Sequence, residues 1–426
     1  MRRLKCREVG CVEHAWQEHF MRVEQPQSIG AISIRELLAY VRSAEAKVKA
    51  LTTHWAFASS DTEAKAYRER CKEILPHNFY DFMEIQMDKN PETIRRSFGA
   101  RFASRKNPTF TFIDLFAGIG GFRIAMQDNG GRCVFSSEWN VAAQETYALN
   151  FGETPFGDIT LDATKNLIPA KFDVLCAGFP CQAFSIAGYQ KGFEDTRGTL
   201  FFDVAKILDI HRPRAFYLEN VKNLQTHDNG RTFKKIMKVL EEDLGYKVFS
   251  KVMSPDKYAD IPQNRERIFI VGFNPRDVPC TSIATFQFPP AIPLRKSIRD
   301  CIDEGVSDDE FFYTPKYGCY EKVEKGVVKL ETVYQWRRQY VRENKSNVCP
   351  TLTANMGAGG HNVPLIRVKG GVRKLTPREC LNFQGFPASY EFPRIALSKC
   401  YMQAGNSVAV PLVSRVAKEI VRVLDA

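Results

Sequence analysis

The chain predicts an α/β fold built on a largely parallel sheet, with a helical N-terminal extension before it and a smaller second domain after it. Three observations carry that prediction. Between Phe110 and Phe273, apolar strand-like runs alternate with helical patterns, the arrangement that covers both faces of a parallel sheet. A glycine-rich turn, Ala117-Gly118-Ile119-Gly120-Gly121, joins the first run to the first helical pattern. After Phe273 the alternation stops, and Pro289-Pro290, charged runs and glycine clusters follow up to about residue 372.

Residues 1–108 form the extension. Ser33 and Glu36 make a capping-box pattern, and Ile34, Leu37, Leu38, Val41, Val48 and Leu51 repeat behind it at helical spacing. Thr62 to Leu75 predicts a second helix, and Asn90-Pro91 starts a third with proline in its first turn. Arg95, Arg96, Arg101, Arg105 and Lys106 then lie in a stretch without acids, either a phosphate contact or a solvated linker. Cys6, Cys11, His14 and His19 crowd together, but the two-residue gap between Cys11 and His14 is far shorter than a zinc finger uses, so no metal site is expected.

Residues 109–273 form the sheet-bearing domain. Its strands fit 109–116, 133–137, 174–177, 215–218 and 268–273. The second domain spans 274–397. Helical patterning resumes at Lys374, and the segment 398–426 returns to the first domain, with a closing helix from Ser407 to Leu424.

Composition narrows the function. Apolar residues make up 44% of 426, which marks a globular chain. No run of eighteen apolar residues predicts a membrane span. Twelve scattered cysteines, with no apolar signal core after Met1-Arg2-Arg3, fit reduced thiols in a cytoplasm. A net charge of +11 favours a polyanionic partner such as nucleic acid.

The glycine-rich turn after strand one is where a nucleotide-like ligand is received. Gly118, Gly120 and Gly121 do not match the GxGxxG spacing of dinucleotide sites, and no Gly-Lys-Ser/Thr of a phosphate loop follows. Glu138, ending strand two, suits a ribose; Trp139 can cover a purine face; Asp158 can accept from an adenine amino group. The set fits an adenosine without a pyrophosphate, and S-adenosylmethionine better than NAD.

Past the strand at 174–177 the chain reads Gly178-Phe179-Pro180-Cys181-Gln182-Ala183-Phe184-Ser185. A thiol thus follows the carboxyl end of a strand, where open α/β sheets bind ligands, and Pro180 fixes one dihedral before it.

Taken in order, 112–118, Pro180-Cys181-Gln182, Glu219-Asn220-Val221, 263–267, 373–379 and Gly405-Asn406-Ser407-Val408 resemble the successive motifs of the bacterial DNA (cytosine-5)-methyltransferases, the HhaI type among them. The likeness runs from Phe110 to the C-terminus and leaves residues 1–108 outside. It implies a Rossmann-like S-adenosylmethionine-dependent catalytic domain, a target-recognition domain at 274–397, duplex DNA as substrate, and a modification methylase of a restriction-modification system, cytoplasmic and monomeric, in a prokaryote or phage. A cognate restriction endonuclease acting on the same site is then an implied counterpart. The resemblance makes Cys181 the thiolate that adds to carbon-6 of cytosine. It has Glu219 hold or donate a proton at ring nitrogen-3 and Arg267 hold the base oxygen, and it counts Arg265 among the catalytic residues, near the same pocket or its phosphate. Cofactor contacts fall on Phe116, Gly118, Gly120, Glu138, Trp139, Asp158, Ile159, Gly178 and Leu200, with Asn406 and Val408 closing the pocket.

The target base must leave the duplex to meet the thiol. The stretch 186–193 resembles the family's mobile loop, with Ala187 where some members carry a small polar residue. DNA contacts are expected at Ser185 and at Thr351-Leu352, which precede Gly357, Gly359 and Gly360; glycines let main chain approach base edges. Tyr334, Trp336, Arg337, Arg338, Tyr340 and Arg342 read either as a DNA-contacting run or as a charged helix. Two rivals stand beside this reading: a transfer-RNA cytosine-5 methyltransferase on the same scaffold, and an added role for the extension as a DNA-binding autoregulator. The run Ala183-Phe184-Ser185 favours the DNA branch.

Overall fold

A computed structural model describes residues 32–58, 61–105, 107–180, 200–358 and 362–426. Cys6, Cys11, His14, His19, Lys106, Gly359 and Gly360 lie outside the described residues, as do Cys181, Ser185 and the whole 186–193 stretch.

Five helices come first: α1 (Ile34–Ser43), α2 (Ala46–Phe57), α3 (Asp61–Ile74), α4 (His77–Lys89) and α5 (Pro91–Phe98). The capping box at Ser33 forms, with the Ser33 N–H donating to Glu36 at 2.7 Å and the Glu36 N–H donating to the Ser33 hydroxyl at 3.2 Å. The apolar repeat from Ile34 to Leu51 is split, however. Ala44 and Glu45 are extended, so Val48 and Leu51 belong to α2. Helix α4 has no counterpart among the expected helices, because Phe79, Tyr80, Phe82, Met83, Ile85 and Met87 spread round its axis instead of forming one stripe.

The extension is not a separate body. Leu37, Trp55, Tyr67, Met83 and Ile94 share one buried core with Leu115, Val134, Phe135 and Phe156 of the sheet domain. Phe156 stacks on Phe135 at 5.0 Å and meets the His54 ring at 4.6 Å, so a ring contact from α2 is relayed onto the sheet through Phe156. The basic stretch is also employed internally. Arg95 donates to the carbonyls of Ala56 and Ala58, Arg101 pairs with Glu391, and Arg105 donates to Asp128 O.

The central sheet has six strands: β1 (Phe110–Leu115), β2 (Gly131–Ser137), β3 (Val174–Gly178), β4 (Ala215–Val221), β5 (Lys247–Met253) and β6 (Arg267–Phe273), in the order β2-β1-β3-β4-β6-β5. The first four are mutually parallel, while β6 runs antiparallel to both β4 and β5. Strand β5 is missing from the sequence-based expectation because as an edge strand it keeps Lys247, Ser250 and Lys251 and has no continuous apolar run. Helices α6 (Gly121–Asp128), α7 (Val141–Phe151) and α8 (Leu200–His211) connect the parallel strands.

A second, four-stranded antiparallel sheet follows, ordered β10-β9-β7-β8 from β7 (Tyr334–Trp336), β8 (Val341–Glu343), β9 (Leu365–Val368) and β10 (Gly371–Lys374). It packs over a small core of Tyr313, Val323, Val327, Tyr334, Leu365 and Val372. The run from Tyr334 to Arg342 is therefore a hairpin and not a charged helix. The chain then returns through α9 (Pro377–Phe383), α10 (Leu397–Asn406) and α11 (Val410–Leu424). Asn129, after α6, donates to Ser414 of α11. Among the described residues no helix is long and apolar enough to cross a membrane.

Candidate active site

Parallel strands present their carboxyl ends along one edge, and there the site is built. Gly178 of β3 is paired with Glu219 of β4, so the chain that continues through Phe179 and Pro180 starts beside the Glu219 carboxylate. Because β6 is antiparallel, its first residue reaches the same edge: Arg267 is paired with Val221. A cavity of about 560 Å³ opens at this edge, lined by Phe116, Gly118, Phe122, Glu138, Trp139, Gly178, Pro180, Glu219, Arg267, Asn406 and Val408 among others. Residues almost three hundred positions apart thus share one wall.

The glycine-rich turn forms the floor. Phe116 has φ 53, a left-handed conformation uncommon for a non-glycine residue and concentrated at functional sites. Gly120 has φ 80, and a Cβ there would lie 2.3 Å from the Phe151 ring, so only glycine lets α6 start this close to α7. Gly120 acts behind the cavity wall and does not line it. Glu138 is held at both oxygens: Gly118 N–H donates to Oε2 and Asn140 N–H to Oε1, each at 2.8 Å. Burial raises its carboxyl above the ordinary value, opposed by the N–H groups of Asn140, Gly118 and Trp139. Each carboxylate oxygen accepts one of these bonds and has capacity for another, the acceptor pair that two ribose hydroxyls need. Trp139 stands beside it, 72% exposed, with its ring free to cover a planar ligand.

Not every expected contact lines this cavity. Asp158, Ile159 and Leu200 do not. The Asp158 carboxylate accepts from Thr160 N–H at 2.9 Å, Ile159 is buried, and Leu200 is the first residue of α8. Phe122, Thr353, Met402, Gln403 and Ser407 line the cavity although nothing in the sequence singled them out individually. Phe122 follows the glycine turn and Ser407 sits inside a motif already marked, so their neighbours were the available signal.

Arg267 and Glu219 form an ion pair, Nε to Oε1 at 2.9 Å, with both side chains largely buried. Arg265 lines the same cavity, as expected, but its guanidinium is bonded to backbone rather than left free for a base or phosphate. It is 3% exposed, and its terminal nitrogens donate to the carbonyls of Leu352, Gly405 and Ser407 at 2.6, 3.0 and 2.6 Å. Burial, then the neighbouring Arg267 charge, lowers it to about 9 against the pull of Glu219. With those donors engaged, Arg265 ties together three chain segments around the cavity and is a positioning residue.

Leu352 likewise is not a surface contact. Its side chain is 1% exposed and its carbonyl is held by Arg265. Thr351 is partly exposed, its hydroxyl donating to Asn264 O at 2.7 Å. It borders a second cavity of about 440 Å³ with Gln335, Arg337, Arg342 and Asn344, a polar groove that shares Thr353 with the first. Gly357 serves packing rather than base edges, since a Cβ would lie 2.3 Å from Ser398 O of α10.

The nucleophile position, Cys181, is outside the described residues and follows Pro180 in sequence. No described cysteine lines the cavity. Burial pushes the Cys133 thiol up to about 12 and raises Cys176 and Cys349 well above the ordinary range, which makes them inert core thiols.

A family model described as C-5 cytosine-specific DNA methylase matches residues 110–422. The chain is 48% identical over 314 residues to the type II methyltransferase M.Bsp6I of Bacillus sp., covering 72% of this chain and 96% of that protein. It is 46% identical over 341 residues to M.HpaII of Haemophilus parainfluenzae, covering 76% and 93%, and 40% identical over 315 residues to M.HhaI of Haemophilus parahaemolyticus, covering 72% and 93%. Among solved structures, a Spodoptera frugiperda DNMT2 mutant aligns with a TM-score of 0.53 at 20% identity, covering 75% of this chain and all of that one, which supports the fold.

Proposed function

The chain belongs to the C-5 cytosine-specific DNA methylase family, and from that premise we propose how its residues methylate cytosine. It is a DNA (cytosine-5)-methyltransferase of the type II modification kind. S-adenosylmethionine is the methyl donor in this reading, and the residues fit it. Glu138 faces the cavity with both oxygens anchored, Trp139 offers a free ring, and the Phe116–Phe122 turn supplies the floor. When bound, the donor supplies an electrophilic methyl group. Asn406 and Val408 close the pocket from the other side.

The remaining chemistry falls to the protein. Carbon-5 of cytosine is a poor nucleophile until a thiolate adds at carbon-6 and turns the ring into an enamine. Cys181 supplies that thiolate. Glu219 holds a proton at ring nitrogen-3, so negative charge does not build up on the ring. Arg267, paired with Glu219, fixes the carboxylate and donates toward the base oxygen. After methyl transfer, loss of the carbon-5 proton and departure of the thiolate restore the ring. Duplex DNA is the substrate, with the target base turned out of the helix and the second sheet reading its surroundings. We read residues 109–273 and 398–426 as the catalytic unit and 274–397 as the recognition domain. A cognate endonuclease and a monomeric state remain part of this proposal.

One observation carries the reading: a single cavity holds the Glu138 ribose anchor at one side and the Glu219–Arg267 pair beside Pro180 at the other. The test is incubation with methyl-labelled S-adenosylmethionine and, separately, duplex DNA or transfer RNA, followed by bisulfite sequencing of the DNA. Label in DNA at defined cytosines is expected; label confined to RNA would replace this reading with the RNA one.

A further inference from the structure

Residues before Phe110 lie outside the family match, yet α2 reaches the helix that starts at the glycine-rich turn. The link is a chain of buried groups. His54 of α2 has Nδ1 2.8 Å from the Ala50 carbonyl. A carbonyl only accepts, so Nδ1 carries the proton and Nε2 is left as a bare acceptor. That Nε2 faces Glu153 Oε2 at 3.8 Å, acceptor against acceptor and beyond hydrogen-bond distance, so the neutral imidazole covers the carboxylate without bonding it. Glu153 in turn gives both oxygens to Arg123, at 2.9 and 2.8 Å, with the two side chains 4% and 0% exposed. Arg123 lies in the first turn of α6, directly after Gly121 and Phe122, which line the cavity. Its Nε donates to Gln127 and its guanidinium sits 4.6 Å over the Phe151 ring.

Neighbouring contacts seal the pair from water. Thr53 accepts from the Thr154 N–H at 3.0 Å, and Phe57 covers Gly152, where a Cβ would meet its ring at 2.7 Å. Arg95 clamps the end of α2 through Ala56 O and Ala58 O. A buried, fully engaged ion pair holds its geometry far more firmly than a hydrated one, and here α2 is what excludes the water.

We propose that the N-terminal extension is a buttress of the methyl-donor site, in which His54 and Glu153 are positioning residues that fix Arg123 and thereby the Gly118–Phe122 turn. The proposal rests on the donor reading above. It assigns the inner face of the extension to donor binding instead of to DNA.

The test uses the full chain. Glu153→Gln and His54→Ala are compared with the parent by calorimetric titration with S-adenosylmethionine alone, by KM for donor and for DNA, and by melting temperature. The coupling predicts that donor affinity weakens about fivefold or more in both variants, with the rise falling on KM for the donor and not on KM for DNA. His54→Gln, which restores the bulk lying over Glu153, recovers most of the lost affinity. Should Glu153→Gln not fold, the His54 pair decides alone. Donor affinity within twofold of the parent, with only the melting temperature lowered, would reduce the extension to a stabilising cap and overturn the proposal. A parent that binds no S-adenosylmethionine would instead defeat the donor reading itself.

Discussion

The Nε of Arg267 lies 2.9 Å from Oε1 of Glu219, joining the first residue of an antiparallel strand to the end of a parallel one. The acid and the cation assigned to the cytosine ring are therefore one unit, already aligned at the strand edge next to Pro180.

From that pairing follows strong non-additivity. Glu219→Gln and Arg267→Ala each lower kcat by about 10²–10⁴-fold, the range for losing a positioned proton carrier. The double variant is little worse than the poorer single one, because residues acting as a unit do not add. Single-turnover methylation of duplex DNA measures this; multiplicative losses would show two independent sites.

Arg265 predicts a different phenotype. Replacing it with Met removes the donor from three buried carbonyls. Each orphaned buried acceptor costs about 1–3 kcal/mol, so the melting temperature drops by many degrees. Thermal unfolding at fixed pH checks it. An unchanged melting temperature with lost activity would return Arg265 to the reacting base.

Acid weakens the extension's attachment. Burial lowers the His54 imidazole below its ordinary value, with Arg123 and Arg132 adding to this against Glu153 and the Ala50 carbonyl. A His whose folded pKa is depressed contributes stability that is fully present above the unfolded value of about 6.5 and declines as pH falls through the folded value. Glu153 works in the same sense lower down: burial would raise it, but Arg123 and His54 hold it below its usual range. Melting temperature thus falls as pH drops from 7.5 toward 5.5, and His54→Gln flattens the upper part of that slope. Parallel slopes for parent and variant would contradict the assignment.

DNA affinity falls steeply with salt if phosphates dominate the contact, by about 10³–10⁵ between 50 and 200 mM for six to ten phosphates. Fluorescence anisotropy with a labelled duplex reads this. A flat response would point away from the net charge of +11 as the source of binding.

Much of the catalytic edge was legible because its residues follow strand ends in short, ordered runs: Phe116, Glu138, Gly178 and Glu219 each close an apolar segment and meet in the cavity. What stayed illegible depends on long-range pairing. Nothing local in Arg265 says that its donors would be taken by Leu352, Gly405 and Ser407, or that Arg95 would be taken by the carbonyls of Ala56 and Ala58 and Arg101 by Glu391. The extension's docking was hidden for the same reason, since His54 and Glu153 lie 99 positions apart and meet only once α2 packs on Phe156. The antiparallel β5 escaped because an edge strand needs no unbroken apolar run.

The central claim is that the Cys181 sulfur bonds to carbon-6 of an extruded cytosine. It is tested by duplex DNA copied with 5-fluorodeoxycytidine at every cytosine, so that any target sequence carries the analogue, incubated with the protein and excess S-adenosylmethionine. Fluorine at carbon-5 cannot leave as a proton does, so the account predicts a protein–DNA adduct that survives denaturing electrophoresis, needs the donor, and disappears in Cys181→Ser, which still binds the duplex. No adduct at saturating donor, or an adduct that persists without the Cys181 thiol, would contradict it.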